Sequence, residues 1–181
     1  MSFVRIPKDR LGVVIGPRGA TRKILEERSG FRLEVDTDEK EVHIVDEGEG
    51  TDPLMMLKMR DIIKAIGRGF SPEHAMRLFS DDAYFELVDI HEFSGKNKAH
   101  VQRIKSRVIG SEGKTRRIVE EQTGCDLSVY GHTVGIIGDL EGLGHAKQAV
   151  TMLLSGSEHA SVYRFLEGRR RAQRRDAQQL W

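Results

Sequence analysis

Two stretches of this chain repeat each other at a fixed offset of ninety-four residues. Ile15-Gly16-Pro17-Arg18-Gly19, leading into Thr21-Arg22-Lys23-Ile24, returns as Ile109-Gly110-Ser111-Glu112-Gly113, leading into Thr115-Arg116-Arg117-Ile118. The register holds beyond the glycines. Glu26-Glu27 recurs as Glu120-Glu121, Ser29-Gly30 as Thr123-Gly124, and Leu33 and Val35 as Leu127 and Val129. Repetition of this length means two copies of one supersecondary unit, so the chain folds as two similar modules rather than around one continuous core.

A length of 181 residues accommodates two such modules of about 80 to 100 residues each. No apolar run approaches the ~18 residues of a membrane span. The N-terminal residues Met1 to Pro7 lack the apolar centre of a secretory signal, and the single Cys125 has no internal disulfide partner. A reducing, cytoplasmic setting is expected.

The formal net charge of +1 hides a segregated distribution. Residues 36–52 are acidic through Asp36, Asp38, Glu39, Glu41, Asp46, Glu47, Glu49 and Asp52. Residues 94–117 carry Lys96, Lys98, Arg103, Lys105, Arg107, Lys114, Arg116 and Arg117 against Glu112 alone, and Arg164, Arg169, Arg170, Arg171, Arg174 and Arg175 crowd the C-terminal segment. Segregation of this kind gives a chain one surface that attracts polyanions and another that repels them.

Pattern and punctuation give the element order. Phe3 to Ile6 alternates as a strand and stops at Pro7; a helix follows over Lys8 to Ile15, then the glycine loop, then a helix over Thr21 to Arg28 closed by Gly30. Phe31, Leu33 and Val35, then Val42 and Ile44, alternate with polar residues, which predicts a hairpin with an acidic turn. A helix over Pro53 to Ile66 is capped by Asp52. The second module repeats the order: a strand over Tyr84 to Ile90, a helix over Lys98 to Val108, the loop, a helix over Thr115 to Gln122, a hairpin of Cys125 to Tyr130 and Thr133 to Ile137 turning at Gly131-His132, and a helix over Ala146 to Leu154. The expected division is residues 1–70, a connecting helix and linker at 71–83, residues 84–158, and an arginine-rich helical extension at 159–181. Val162, Phe165 and Leu166 in that extension can anchor it by packing; its arginines read charge.

A strand, a helix, Gly-x-x-Gly, a helix, two strands and a helix resembles the eukaryotic-type (type I) KH fold, and both halves carry its Ile-Gly-x-x-Gly signature. The fold class expected is therefore α+β: two tandem modules, each a three-stranded antiparallel sheet with three helices on one face, plus the basic C-terminal helix. Paired glycines let the backbone approach a sugar-phosphate chain closely, and the amides opening the next helix point the positive end of its dipole at the phosphates. The expected RNA-binding residues are Gly16, Pro17, Arg18, Gly19, Arg22 and Lys23, with Gly110, Ser111, Glu112, Gly113, Lys114, Arg116 and Arg117. In KH modules an apolar groove holds about four unpaired nucleotides. By resemblance its walls are Ile15, Ile24 and Leu33 in one copy and Ile109, Ile118 and Leu127 in the other, although amphipathic spacing alone assigns Ile24, Leu33, Ile118 and Leu127 to the core. Arg169, Arg170, Arg171, Arg174 and Arg175 are the expected electrostatic contacts. Glu112 places a carboxylate where phosphate passes, so the second loop is expected to bind more weakly unless its basic flanks compensate.

Asp52-Pro53-Leu54-Met55-Met56-Leu57, the run Ile62-Ile63-Lys64-Ala65-Ile66-Gly67-Arg68-Gly69-Phe70, and Ser128-Val129-Tyr130-Gly131 before Thr133-Val134 narrow the resemblance. Together with the paired modules they resemble the archaeal counterpart of the KH-domain factor that assists small-subunit rRNA processing and partners the rRNA 3′-end endonuclease. What the resemblance implies is binding to the 3′ end of small-subunit rRNA during ribosome assembly, with partners from the processing and translation machinery. An alternative is a KH scaffold in which one module docks proteins and has lost RNA binding. Nucleotide hydrolysis is disfavoured: Gly113-Lys114-Thr115 imitates the end of a phosphate-binding loop, but Val108 stands where that motif requires glycine, and the loop joins helix to helix. No paired acid and base or nucleophile stands out, so no enzyme is expected. His43, His91, His100, His132, His145 and His159 show no metal-ligand spacing, and neither metal nor cofactor is expected.

Overall fold

The protein was analysed as a computed structural model that describes residues 2–48 and 52–180; Met1, Glu49 of the acidic stretch and Trp181 of the extension lie outside the described residues. The chain divides into two compact units, residues 1–85 and 86–181. No described helix is long and apolar enough to cross a membrane.

In the first unit β1 (Ser2–Arg5), β2 (Arg32–Asp36) and β3 (Glu41–Val45) form an antiparallel sheet in the order β1-β3-β2. The register sets Val4 against Val42, Leu33 against Ile44 and Val35 against Val42. Partners across a ladder point to the same side, so these apolar residues make one face and Arg5, Glu41 and His43 the other. Three helices contribute the opposing apolar residues: Leu11 and Val14 from α1 (Lys8–Ile15), Leu25 from α2 (Ala20–Ser29), and Met59, Ile62, Ile63 and Ile66 from α3 (Pro53–Gly67), all buried. Asp52 caps α3 by accepting from the Leu54 N–H at 2.9 Å, and Pro53 fills its first turn. Gly67 is required by closeness rather than conformation, since a Cβ there would stand 2.7 Å from the Ile6 Cβ.

Residues 71–83 begin as α4 (Pro72–Ala75) and a 3-10 turn (Met76–Phe79), both packed on α3. The Lys58 ammonium donates to the Phe79 carbonyl at 3.0 Å, and the Arg28 guanidinium lies 4.2 Å from the centre of the Phe79 ring. Ala75 and Leu78 are buried.

The second unit repeats the topology: β4 (Tyr84–Asp89), β5 (Asp126–Tyr130) and β6 (Thr133–Gly138) in the order β4-β6-β5. A short helix that the sequence pattern does not announce, α5 (His91–Ser94), follows β4; then come α6 (Lys98–Ile109), α7 (Lys114–Thr123) and α8 (Leu140–Leu154). α8 opens six residues before the expected Ala146, capped by Asp139, which accepts from the Gly142 N–H at 2.7 Å. Gly142 in its first turn is demanded by packing: a Cβ there would run into the Thr123 carbonyl and stand 3.2 Å from the Cys125 Sγ. The extension is a single helix, α9 (His159–Gln179), whose Val162 and Leu166 are buried in the same core as Val108, Val119, Ile136 and Leu153.

Candidate nucleic-acid interface

The two glycine loops share one backbone. Gly16 and Gly110 have φ 73° and 75° with ψ 175° and 174°, values that only glycine adopts without strain. Gly19 and Gly113 follow in the left-handed region at φ 73°. Between them Arg18 and Glu112 are left-handed without being glycine, both at φ 53°. Two causes separate the glycines. A Cβ on Gly16 would lie 2.7 Å from the Cβ of Thr21, and one on Gly110 would lie 2.8 Å from the Cβ of Thr115, whereas Gly19 and Gly113 face open space. The first glycine of each loop is thus fixed by space and conformation together, the second by conformation alone.

This geometry turns each loop directly into a ten-residue helix, α2 or α7, whose first amides point at whatever lies over the loop. Pro17, Arg18, Ser111, Glu112, Lys114, Arg116 and Arg117 line the loops and the helix starts, and all seven are exposed. Arg22 pairs with Glu26 at 3.1 Å and Lys23 with Glu27 at 3.8 Å along α2; Arg117 donates to the Glu112 carbonyl at 3.2 Å, bracing the second loop from behind. Surface pairs of this kind leave the cations able to exchange partners at little cost.

The expected groove residues separate into two sets. Leu33 and Leu127 are core, at 0% and 5% exposure, and this corrects their assignment as groove walls: each points from its strand to the helix side of the sheet. Ile24 goes the other way. It is 44% exposed, against the burial its spacing predicts, and Ile15, Ile109 and Ile118 are half-buried. Each loop therefore carries two isoleucines at least partly open to solvent on the helices beside it, and the leucines lie in the core.

Several residues in the repeated phrases hold the fold rather than a ligand. Glu26 Oε1 accepts from the Leu33 N–H at 2.8 Å and Glu120 Oε1 from the Leu127 N–H at 2.9 Å, tying the helix after each loop to the next strand. Arg107, one of the cations of residues 94–117, instead donates to the Leu153 carbonyl at 3.2 Å and to the Ser157 carbonyl, closing the end of α8. Arg10 does the same for α3, donating to the Ile66 and Phe70 carbonyls at 2.8 Å each. These two arginines occupy different positions of the repeat, about one helical turn apart, so aligning the copies does not reveal their common role.

The C-terminal helix touches the second loop. Tyr163 Oη lies 3.0 Å from Thr115 Oγ1, the hydroxyl that fills the space beside Gly110, and His159 Nε2 lies 3.0 Å from the Arg107 carbonyl. Beyond the buried Leu166, Arg169, Arg170, Arg171, Arg174 and Arg175 are all exposed; Arg170 reaches Gln122 at 3.4 Å, Arg171 lies 3.9 Å from Glu167, and the Arg169 guanidinium stands 5.5 Å from the Phe165 ring centre.

Comparison with known proteins matches a KH domain model to each half of the chain. Residues 84–171 match the eukaryotic type KH-domain (KH-domain type I), and residues 7–81 match the Krr1 KH1 domain. The chain is 45% identical over 181 residues to KH domain-containing protein MJ0443 of Methanocaldococcus jannaschii, covering 100% of this chain and 79% of the relative. Dim2p from Pyrococcus horikoshii OT3 superposes with a TM-score of 0.85 at 44% identity, covering 92% of this chain and 97% of that one. In the crystal structure of the a/eIF2alpha-aDim2p-rRNA complex from the same organism, the matching chain has a TM-score of 0.88 at 43% identity, with 94% of each chain covered.

Proposed function

We propose, since the chain belongs to the KH-domain family of RNA-binding proteins, that it holds single-stranded RNA at its two glycine loops and that its target is the 3′ end of small-subunit rRNA during ribosome assembly and pre-rRNA processing. The observation that carries this reading is the doubled loop: two glycine-gated turns of the same conformation, each opening a helix N-terminus and each flanked by solvent-facing cations and accessible isoleucines. Such a turn fits a phosphate chain by its backbone, and sequence is then read on base edges and faces rather than on the phosphates. The rRNA of this reading is carried over from the relative crystallised with rRNA; its 3′ end and the assembly setting rest on the resemblance of the sequence. The same complex supplies a translation initiation factor α subunit as a partner; the processing endonuclease, the cytoplasmic setting and the lack of catalysis rest on the sequence alone. Within this scheme residues 1–70 and 84–158 are the RNA modules, 71–83 the connection and 159–181 the electrostatic extension.

One observation favours a second reading for the second unit. Glu112 puts an exposed carboxylate at the crest of its loop, so that module docks a protein if the loop repels phosphate. Fluorescence anisotropy with an oligonucleotide of the rRNA 3′ terminus and a scrambled strand of equal length tests both. The full chain is expected to prefer the rRNA strand, and Gly19→Asp and Gly113→Asp are each expected to weaken binding. An unchanged affinity in Gly113→Asp alone assigns the second unit to protein docking; an unchanged affinity in the double variant removes the loops as the RNA site.

A further inference from the structure

Asp89, His91 and His132 of the second unit meet at one place that linear spacing conceals, because the third member is forty-one residues beyond the second. Asp89 ends β4, His91 opens α5, and His132 is the second residue of the two-residue turn between β5 and β6. Their backbones are pinned together: the Ile90 N–H donates to the His132 carbonyl at 2.7 Å, and the His91 N–H donates to Asp89 Oδ1 at 2.9 Å. The same Oδ1 lies 2.9 Å from His132 Nδ1 and 3.8 Å from His91 Nδ1, and the two imidazole rings stack with centroids 4.3 Å apart and planes 11° apart. One ligating atom from each of the three residues falls within 4.8 Å of the others.

We propose that this cluster binds one divalent transition metal ion of the zinc type. A carboxylate with two imidazoles is the donor set preferred by Zn²⁺, Ni²⁺, Co²⁺ and Cu²⁺, whereas Mg²⁺ and Ca²⁺ prefer oxygen alone. Donors at about 2.0–2.2 Å from a tetrahedral ion stand about 3.3–3.6 Å apart, and the separations of 2.9 and 3.8 Å bracket that range. A purely structural role accounts for Asp89 and His132, which hydrogen-bond; it leaves His91 unexplained, since its Nδ1 stops 3.8 Å short of the same oxygen while its ring lies flat on that of His132. Parallel rings cannot both point at one ion, so binding requires one imidazole to turn about its Cβ–Cγ bond. The His91 and His132 side chains are 31% and 45% exposed, so both rings have an edge open to solvent into which to turn. Three protein ligands leave a further position for water, and the bound ion would clip the β5–β6 turn to the end of β4.

The test uses the full, tag-free chain titrated with Zn²⁺ and with Ni²⁺ by isothermal calorimetry, with Mg²⁺ as the control ion. One equivalent of the transition metal is expected to bind, Mg²⁺ none. His91→Ala and His132→Ala should each weaken binding about tenfold or more, while His145→Ala leaves it unchanged. In the wild-type chain the imidazole NMR signals of His91 and His132 are expected to shift together at one equivalent. Absence of stoichiometric binding, or equal affinity in a His91→Ala/His132→Ala variant that circular dichroism shows to be folded, overturns the proposal. If that variant does not fold, the wild-type imidazole signals decide, and their failure to move overturns it equally.

Discussion

At Arg18 and at Glu112 the backbone is the same, φ 53° with ψ 29° and 30°, yet one residue offers a phosphate a guanidinium and the other a carboxylate. The comparison separates what shapes these loops from what they present. Shape comes from the flanking glycines and the threonine that fills the space beside the first of them; neither loop needs a particular side chain at its crest. A left-handed non-glycine residue costs roughly 1–2 kcal/mol, and both loops bear that strain regardless of charge, which is the mark of a surrounding structure that over-determines the turn. Charge is therefore free to vary between two copies whose geometry is not.

Whether the two units share a shape and differ in charge is open to direct trial. The largest effect is expected at the arginines that close α3 and α8: Arg10→Ala and Arg107→Ala should each lower stability by about 2–3 kcal/mol, since hydrogen bonds from a charged donor to helix-end carbonyls are lost. Thermal unfolding reads this, and a negligible loss at either position would show that the two units do not share this closure. Next come the glycines. Gly16→Ala and Gly110→Ala should each cost their loop more than about tenfold in RNA affinity with helix content retained, while Gly19→Ala and Gly113→Ala, which meet strain of about 1–2 kcal/mol but no clash, should cost less. Equal losses at the two glycines of one loop would mean that space beside the threonine does not set the turn.

A smaller effect follows from exchanging the crests. Glu112→Arg should tighten RNA binding and Arg18→Glu loosen it, with the slope of log affinity against log salt moving by about 0.7 for each phosphate newly neutralised or released on a single strand. Identical responses to the two changes would contradict loops that are alike in shape and opposite in charge. The smallest effect is expected from Tyr163→Phe, which removes the hydroxyl against Thr115. Local opening at residues 110–115 should become easier by about 1 kcal/mol, seen as faster amide exchange there, with residues 16–21 unchanged because the hydroxyl's partner, Thr115, belongs to the second loop.

The repeat makes the topology legible in the sequence, because each copy supplies element order where the other is unclear. Legibility fails where one copy is unlike the other or where tertiary packing overrules local pattern. The sequence pattern starts this helix at Ala146, but α8 begins at Leu140, and Gly142 within it faces the Cys125 Sγ and the Thr123 carbonyl too closely for a side chain. Ile24 reads as core by its spacing and is 44% exposed, whereas Thr21 and Leu25 of the same helix are buried. Arg107 reads as one more cation in a basic run, and only packing shows its guanidinium turned inward to carbonyls forty-six and fifty residues away. Of the site, the glycines and the cations are readable from residue type and spacing; the threonine, tyrosine and glutamate contacts that hold them in place belong to the fold in three dimensions.

The C-terminal helix is two structures joined end to end. Up to Leu166 it is a packed element; after that Ala172 and Gln173 alone are half-buried among the described residues, and the arginines spread around the axis instead of gathering on one face. Arg170 with Arg174 and Arg171 with Arg175 are like-charge neighbours at four-residue spacing, an arrangement that favours coil. A segment of this length gains little helicity from its own hydrogen bonds in water, so its order rests on the stem that nucleates it and on neutralising counter-charge. The last turns of this helix are therefore the ones expected to fray first in dilute salt and to gain order along a polyanion that offsets the repulsion between its arginines.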